Sequence, residues 1–139
     1  MIKLESVVVF AGEDGFFNYP SGICFEREQG MFYITDMHNS RVCRLEMAAN
    51  DKGELAREIT GAGQSINLIK PLGITLDMNK DLLITDAGYN NIFRLNNRAG
   101  AWIPVIGDGT IVYDVNGKAS GLAPNLPSGV TTDEELNIY

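Results

Sequence analysis

Residues 20–45 decide the fold of this chain, and they read PSGICFEREQGMFYITDMHNSRVCRL. The stretch contains three apolar runs of strand length, separated by polar segments that contain turn-forming residues. Each run includes Ile, Val or Thr, the β-branched residues that favour strands. A helix would need an apolar period of 3.6 residues, which this stretch does not show. The pattern therefore predicts consecutive β-strands joined by turns.

The same pattern recurs twice along the chain, at intervals of about 50 residues. The second copy reads PLGITLDMNKDLLITDAGYNNIFRL at residues 71–95, and the third reads PSGVTTDEELNIY at residues 127–139. Tyr139 of the third copy aligns with Leu83 of the second. A further apolar run that ends in Gly precedes each copy. In the second unit the four expected strands are about residues 72–76, 81–85, 91–95 and 102–106. Four strands per unit predict an all-β chain of four-stranded antiparallel blades, part of a β-propeller.

The order Pro-x-Gly-Ile, then a strand ending in Asp, then Asn-x-Arg resembles the NHL repeat. Residues 20–45 carry nearly all of this motif, including Asp36, Asn39 and Arg41, whereas Tyr89 and Asn91 replace Asn and Arg in the second copy. The resemblance covers essentially the whole chain and implies a fragment of a six-bladed propeller. The expected divisions are a leading outer strand and loop at 1–19, repeats at 20–70 and 71–126, and a truncated repeat at 127–139.

The motif residues themselves are expected to be structural. Proline fixes φ before an inner strand, glycine lets inner strands approach closely, and a short carboxylate accepts backbone N–H groups in the next turn. Asn39 is expected to act as such an acceptor too. The residues given these structural roles are Pro20, Gly22, Asp36, Pro71, Gly73, Asp86, Pro127 and Gly129.

Composition and charge limit the classes of partner that the chain is expected to bind. The formal net charge is −7, and the 11 basic residues are scattered, so nucleic acid and a membrane surface are not expected as partners. No apolar run reaches the roughly 18 residues that a membrane helix needs. The first residues lack a basic segment followed by a long apolar stretch, which favours a cytoplasmic location. Cys24 and Cys43 fall on the first and third strands of one blade, too far apart for a disulfide, so two unpaired thiols are expected.

No catalytic constellation is visible. The single histidine, His38, cannot form a three-histidine zinc site, and no phosphate-binding glycine motif occurs. No catalytic residue is therefore assigned. The loops of one rim are rich in oxygen ligands of the kind that Ca²⁺ prefers. Gluconolactonase-like propellers, which the chain also resembles in architecture, imply a metal of this kind, for which Asp36, Asp86 and Asp108 are the candidate ligands.

The leading hypothesis is a binding or scaffold module that contacts a protein through its rim loops, because binding residues concentrate on loops held by a rigid scaffold. A binding module of this kind needs no cofactor. A metal-dependent propeller hydrolase or lactonase is the alternative. RNA binding is a third hypothesis, which the acidic net charge disfavours. Phe16 and Phe17 could either anchor a partner or pack under their loop. Two or more copies of the chain could also assemble to close a ring. The candidate rim residues are Phe16, Phe17, His38, Asn39, Tyr89 and Tyr113.

Overall fold

A computed structural model describes residues 16–46, 67–96, 101–106 and 125–139. These residues form two antiparallel sheets whose strands follow one another in chain order. The first sheet comprises β1 (Pro20–Glu26), β2 (Met31–Asp36) and β3 (Arg41–Glu46). The second comprises β4 (Pro71–Leu76), β5 (Leu82–Asp86), β6 (Asn91–Asn96) and β7 (Ala101–Ile106). One turn of 3-10 helix, Met37–Asn39, joins β2 to β3. We call the first sheet blade 1, the second blade 2, and residues 127–139 blade 3.

The expected four-stranded unit is confirmed in blade 2, and each of its strands lies within two residues of the predicted bounds. In blade 1 the residues corresponding to a fourth strand lie outside the described ranges, as does the leading strand. The predicted divisions at residues 19, 70 and 126 remain predictions.

The two sheets share an irregularity at the start of the inner strand. Pro20 lies opposite Asp36, but the regular register begins only at Ile23, opposite Ile34, and blade 2 shows the same shift between Pro71 and Ile74. Proline has no N–H to donate to the ladder, so pairing can be interrupted there without leaving a donor unsatisfied. The repeated Pro-x-Gly segment therefore corresponds to a repeated break in the sheet register.

The core lies between the two blades. Side chains alternate along β2, so Met31 and Tyr33 point to one face of blade 1, and Phe32 and Ile34 point to the other. The face with Tyr33 packs on blade 2, and we call it the forward face; the opposite face is the rear face. The buried cluster combines forward-face residues of blade 1 with rear-face residues of blade 2 and with Leu68 from the loop before β4. Its members are Met31, Tyr33 and Val42 with Leu68, Ile74, Leu82, Ile84, Phe93 and Leu95.

Glycines permit close contact where inner strands of successive blades meet. A Cβ atom on Gly22 would collide with the carbonyl oxygen of Leu72, and one on Gly73 would lie 2.5 Å from the carbonyl oxygen of Ser128. No side chain fits at either position without moving backbone. Gly129, the corresponding residue of blade 3, has open space around its Cβ position. At the first two glycines, therefore, the inner strand lies too close to the next blade for any side chain.

Blade 3 is a short hairpin within the described residues. The backbones of Thr131 and Tyr139 exchange two hydrogen bonds of 3.0 and 2.9 Å, and Thr132 bridges to Ile138 in antiparallel fashion. This places Tyr139 where Leu83 lies in blade 2 and Tyr33 in blade 1, in agreement with the sequence alignment.

Both cysteines are free thiols, as predicted. Cys24 pairs with Tyr33 and Cys43 with Ile34, so the two side chains project from opposite faces of blade 1. Burial raises the pKa of the Cys24 thiol to about 12. No helix within the four described ranges is long and apolar enough to cross a membrane.

Candidate functional site

One edge of the blades gathers the loops that precede each inner strand and the turns that follow each second strand. Antiparallel pairing brings these segments together, because the start of β1 lies opposite the end of β2 and the start of β4 lies opposite the end of β5. We call this edge the upper rim. It comprises residues 16–19, 36–40, 67–70, 86–90 and 125–126.

Asp36 holds the upper rim of blade 1 together. It is fully buried, and one carboxylate oxygen accepts a 2.7 Å hydrogen bond from the backbone N–H of Asn18. The other accepts 2.8 Å hydrogen bonds from the Asn39 amide and the Arg41 guanidinium. Arg41 also donates to the carbonyl of Phe16 at 2.6 Å and lies over the Phe16 ring, 4.3 Å from its centroid. The buried carboxylate is thus paired with a cation, and it fixes both the loop before β1 and the turn after β2.

Asp86 does the same for blade 2 with backbone donors. It is also fully buried. Its carboxylate accepts N–H groups from the preceding loop, Ile69 at 2.7 Å and Lys70 at 3.0 Å. It also accepts N–H groups from the following turn, Gly88 at 2.8 Å and Tyr89 at 3.2 Å. Hydrogen bonds to a carboxylate are stronger than those between neutral groups, so this single side chain orders two rim segments.

The difference between the two carboxylates follows from two substitutions between the repeats. Where blade 1 has Asn39 and Arg41, blade 2 has Tyr89 and Asn91. The first pair brings side-chain donors to the carboxylate, whereas in blade 2 the turn itself supplies N–H groups. The prediction that the carboxylate accepts from the following turn holds for Asp86. Asn39, expected to accept from backbone, instead donates its amide.

Neighbouring blades are also tied at this rim. The Ser40 hydroxyl donates a 2.9 Å hydrogen bond to the carbonyl of Ile69, linking blade 1 to the loop of blade 2. The side-chain oxygen of Asn90 accepts a 2.9 Å hydrogen bond from the backbone of Leu126, just before blade 3. Ser40 and Asn90 occupy equivalent positions and share a left-handed backbone, with φ of 54° and 55°. The rim is therefore continuous across both junctions.

Exposed apolar side chains stand on these anchored loops. Tyr19 is 68% exposed, Leu126 64% and Ile69 42%. The Tyr19 ring packs on the imidazole of the exposed His38, with centroids 4.3 Å apart and planes at 32°. Lys70, the residue after Ile69, is exposed as well. Such a surface can provide aromatic and aliphatic anchors to a partner, with a basic group adjoining them.

The predicted rim aromatics are placed differently from one another. Phe16 and Phe17 are half-buried and pack edge to face at 5.0 Å, and Arg41 covers Phe16. Tyr89 is half-buried too and packs edge-on against Phe93 of the core cluster, 6.0 Å between centroids. These three rings support the rim more than they project from it. His38 and Asn39 are exposed on the rim.

Sequence reasoning placed Tyr19, Ile69 and Leu126 in rim loops but did not select them as candidate binding residues. The available signal was position: Tyr19 and Leu126 each directly precede a Pro-x-Gly motif. Both have a left-handed backbone, with φ of 56° and 50°. Such a backbone is uncommon for a residue other than glycine.

The candidate metal ligands have other partners. Asp36 and Asp86 direct their buried oxygens to the hydrogen-bond donors above, and this arrangement does not fit a metal site. Asp108, like Tyr113, lies outside the described residues. In the part of the chain that the structure describes, no group of three or more His, Cys, Asp and Glu could hold a metal ion.

The opposite edge carries a second pair of equivalent carboxylates that sequence reasoning missed. One oxygen of Asp77 accepts N–H groups from Asn79 at 2.8 Å and Asp81 at 3.0 Å. Asp133 receives the corresponding bond from Asn137 at 2.8 Å. The signal was the spacing Asp-x-x-x-Asp/Asn, present in both repeats. These residues shape turns and lie away from the upper rim.

Comparison with known proteins shows which solved structures have a similar fold. No protein-family model matches the chain, and no curated protein matches it. Among solved structures, a protein of unknown function from Bacteroides thetaiotaomicron is 19% identical, with a TM-score of 0.60 over 91% of this chain and 32% of its own. A proposed gluconolactonase is 15% identical, with a TM-score of 0.60 over 88% of this chain and 36% of its own.

A third solved structure is a catalytically inactive variant of virginiamycin B lyase from Staphylococcus aureus with quinupristin. It is 20% identical, with a TM-score of 0.54 over 86% of this chain and 33% of its own. The chain thus spans about a third of the length of each of these proteins. At these identities the likeness concerns the fold alone, and it confirms the predicted partial β-propeller.

Proposed function

We propose that this chain is a propeller binding module whose upper rim contacts a protein partner. The observation that carries the proposal is the exposure of Tyr19, Ile69 and Leu126 on loops that buried side chains hold in place. The carboxylates of Asp36 and Asp86 hold the first two loops, and the amide oxygen of Asn90 holds the third. Exposed apolar side chains on a mobile loop would lose much of their contact energy to ordering on binding. Here Asp36, Asp86 and Asn90 have already fixed those loops, so a partner meets an ordered surface.

The geometry also explains how three separate anchors can act together. Ser40 joins the rim of blade 1 to that of blade 2, and Asn90 joins blade 2 to Leu126. The exposed side chains therefore keep fixed spacings, as the rigid centre of a protein interface requires. The Tyr19–His38 pair adds an aromatic surface with a polar edge, a combination enriched at interfaces.

The test is an affinity capture that compares rim variants with a matched control. Tyr19→Asn and Leu126→Asn remove the anchors while keeping a residue that tolerates left-handed backbone. Met78→Asn is the control, because Met78 is 60% exposed but lies in the turn at the opposite edge. Proteins retained by the wild type and by the control, and lost with both rim variants, support the proposal. An identical set with all four chains contradicts it.

A metal-dependent propeller hydrolase is the second candidate, favoured by the structural likeness to a proposed gluconolactonase. Asp36 and Asp86 already use their oxygens, so we expect a metal to depend on other residues, including Asp108. A native-state site would raise the thermal unfolding midpoint with Ca²⁺ and lower it with EDTA. The Asp108→Asn variant should lose both shifts. An unchanged midpoint under both conditions would count against this candidate.

A further inference from the structure

The residue before the first proline of each repeat stands on the upper rim. These three equivalent residues are Tyr19, Lys70 and Leu126, and all of them are exposed. They follow one another in the order of the blades, because the inner strands of successive blades are in contact. The row therefore runs from an aromatic ring through an ammonium group to an aliphatic side chain.

Lys70 lies in the middle of this row, on the blade that has a neighbour on each side. Its backbone is fixed, because its N–H donates a 3.0 Å hydrogen bond to Asp86 and its carbonyl accepts one of 2.9 Å from Ala87. Within the described ranges its ammonium group makes neither a hydrogen bond nor an ion pair. The rim thus presents an unpaired cation from an ordered backbone.

The carboxylates of the described upper-rim residues are not exposed beside this cation. They belong to Asp36 and Asp86, which are fully buried and accept hydrogen bonds from the rim loops. Exposed carboxylates lie instead in turns at the opposite edge, at Glu28, Glu134 and Glu135. Acidic and basic groups are therefore distributed differently between the two edges of the described blades.

The length of a strand separates these turns from Lys70. β5 has five residues, which at ~3.3 Å per residue place the two edges about 16 Å apart. At physiological ionic strength the Debye length is ~8 Å, so charges at that separation are largely screened from one another. A carboxylate brought to the upper rim would therefore interact with Lys70 much more strongly than with the acidic turns.

Ordered apolar side chains adjoin the cation along the rim. Ile69 directly precedes it and lies against the backbone of Gly88, where an added Cβ atom would collide with the Ile69 side chain. The Ser40 hydroxyl holds the Ile69 carbonyl, and two residues earlier the His38 imidazole packs on the Tyr19 ring. A group bound at the ammonium would therefore have apolar surface next to it.

We infer that the partner segment bound at the upper rim presents an Asp or Glu carboxylate between two apolar side chains. The carboxylate pairs with the Lys70 ammonium, and the apolar side chains contact the row on the Tyr19 side and on the Leu126 side. A basic side chain at the central position would bring like charges together, which disfavours such a partner. This inference rests on the proposed function, because it specifies the chemistry of the partner for the same rim.

Lys70 determines which segments bind more than how tightly they bind. An exposed ion pair changes affinity only by roughly 1.5- to 5-fold, whereas buried aromatic and aliphatic anchors carry most of the affinity of an interface. Loss of Tyr19 should therefore remove binding, and loss of the ammonium should reduce it and abolish the preference for an acidic residue.

The experiment selects random peptides displayed on phage for binding to the whole chain, and then titrates the selected peptides against three variants. Lys70→Met removes the ammonium group but keeps a long side chain and both backbone hydrogen bonds. Arg27→Met is the control, because it removes an exposed cation from the turn after β1, at the opposite edge. Tyr19→Asn reports whether a selected peptide binds at the rim. Equal thermal midpoints establish that the variants are folded.

We expect the selected peptides to carry Asp or Glu between apolar residues and to lose binding with Tyr19→Asn. Each peptide should also be compared with the same peptide in which the acid is replaced by its amide. The acid should bind roughly 1.5- to 5-fold more tightly than the amide on the wild type and on Arg27→Met. On Lys70→Met the two forms should bind equally.

Two outcomes overturn the inference and leave the rim proposal standing. One is a set of peptides that depend on Tyr19 but show no preference for acidic residues. The other is a difference between acid and amide that persists with Lys70→Met. A selection that yields no peptides, or only peptides indifferent to Tyr19→Asn, overturns the inference and the proposed function together.

Discussion

The hydroxyl of Thr35 donates a 2.6 Å hydrogen bond to the carbonyl of Leu72 and accepts one of 2.7 Å from the N–H of Gly22. It thereby connects the inner strand of blade 1, its neighbour and the inner strand of blade 2. Thr35 is fully buried, so water cannot replace either bond without a rearrangement of the junction. The junction thus combines this polar bridge with the apolar core cluster.

Thr35→Val should destabilise the chain by about 1–2 kcal/mol, because the isosteric side chain leaves the Gly22 N–H without its acceptor. The Ser21 hydroxyl still donates to the Leu72 carbonyl, which limits the loss. Urea unfolding at equal protein concentration measures the change. Thr75→Val, at a half-buried position of β4, is the control and should lie closer to the wild type. Equal midpoints for Thr35→Val and the wild type would show that the bridge contributes nothing.

Asp86→Asn should cost about 2 kcal/mol or more, because one carboxylate oxygen that accepts backbone N–H groups becomes an N–H donor facing them. The loss should be local to the upper rim. Hydrogen exchange should show faster exchange at Ile69, Lys70 and Gly88, while the amides of blade 1 keep their protection. Glu134→Gln removes a charge from an exposed turn and should leave both measurements unchanged. Unaltered exchange at these three amides in Asp86→Asn would contradict the anchoring role.

The sequence was sufficient to predict the features that depend on backbone requirements alone. The Pro-x-Gly motifs predicted the inner strands because proline and glycine meet specific steric needs, and the alignment placed Tyr139 correctly. The donors that each carboxylate receives were harder to predict. Asp36 and Asp86 end the same motif, but side chains three and five residues later decide whether the bonds come from side chains or from the turn.

The exposure of side chains was the least predictable property, because it depends on which other part of the protein packs against each blade. Ile23 and Ile74 are the same residue at the same place in the repeat, but Ile23 is 63% exposed and Ile74 only 7%. Tyr89 lies on the upper rim, but its ring is half-buried against Phe93, and nothing in the local sequence pattern indicates this contact with the core. Asp77 and Asp133 were not predicted, because they stabilise turns through local hydrogen bonds that the apolar pattern of the strands does not indicate.

Gly22→Ala should destabilise the junction of blades 1 and 2 by about 1–3 kcal/mol, the usual range for overpacking a tight site. The added methyl group would collide with the Leu72 carbonyl, which is backbone and cannot rotate away. Gly129→Ala is the matched control within one chain, because its Cβ position is open. The thermal midpoint of each variant should be measured under conditions in which the chain is monomeric. Similar midpoints for the two variants would be inconsistent with a close approach at Gly22.

The Cys24 thiol should make the stability of the chain fall at alkaline pH. Burial raises its pKa in the folded chain to about 12 from an ordinary value of 9.0. Between these values the unfolded chain releases the thiol proton and the folded chain keeps it. The unfolded state then binds fewer protons, so the free energy of unfolding decreases as pH rises. Urea unfolding from pH 8 to 11 should show this decrease, and Cys24→Ser should reduce the slope because serine does not titrate in that range.

In alkylation at pH 8, Cys24 should react slowly in the folded chain and rapidly in urea, since the thiolate is the nucleophile. Rapid labelling of the folded chain, or the same pH slope with serine, would show that Cys24 is not protected by burial.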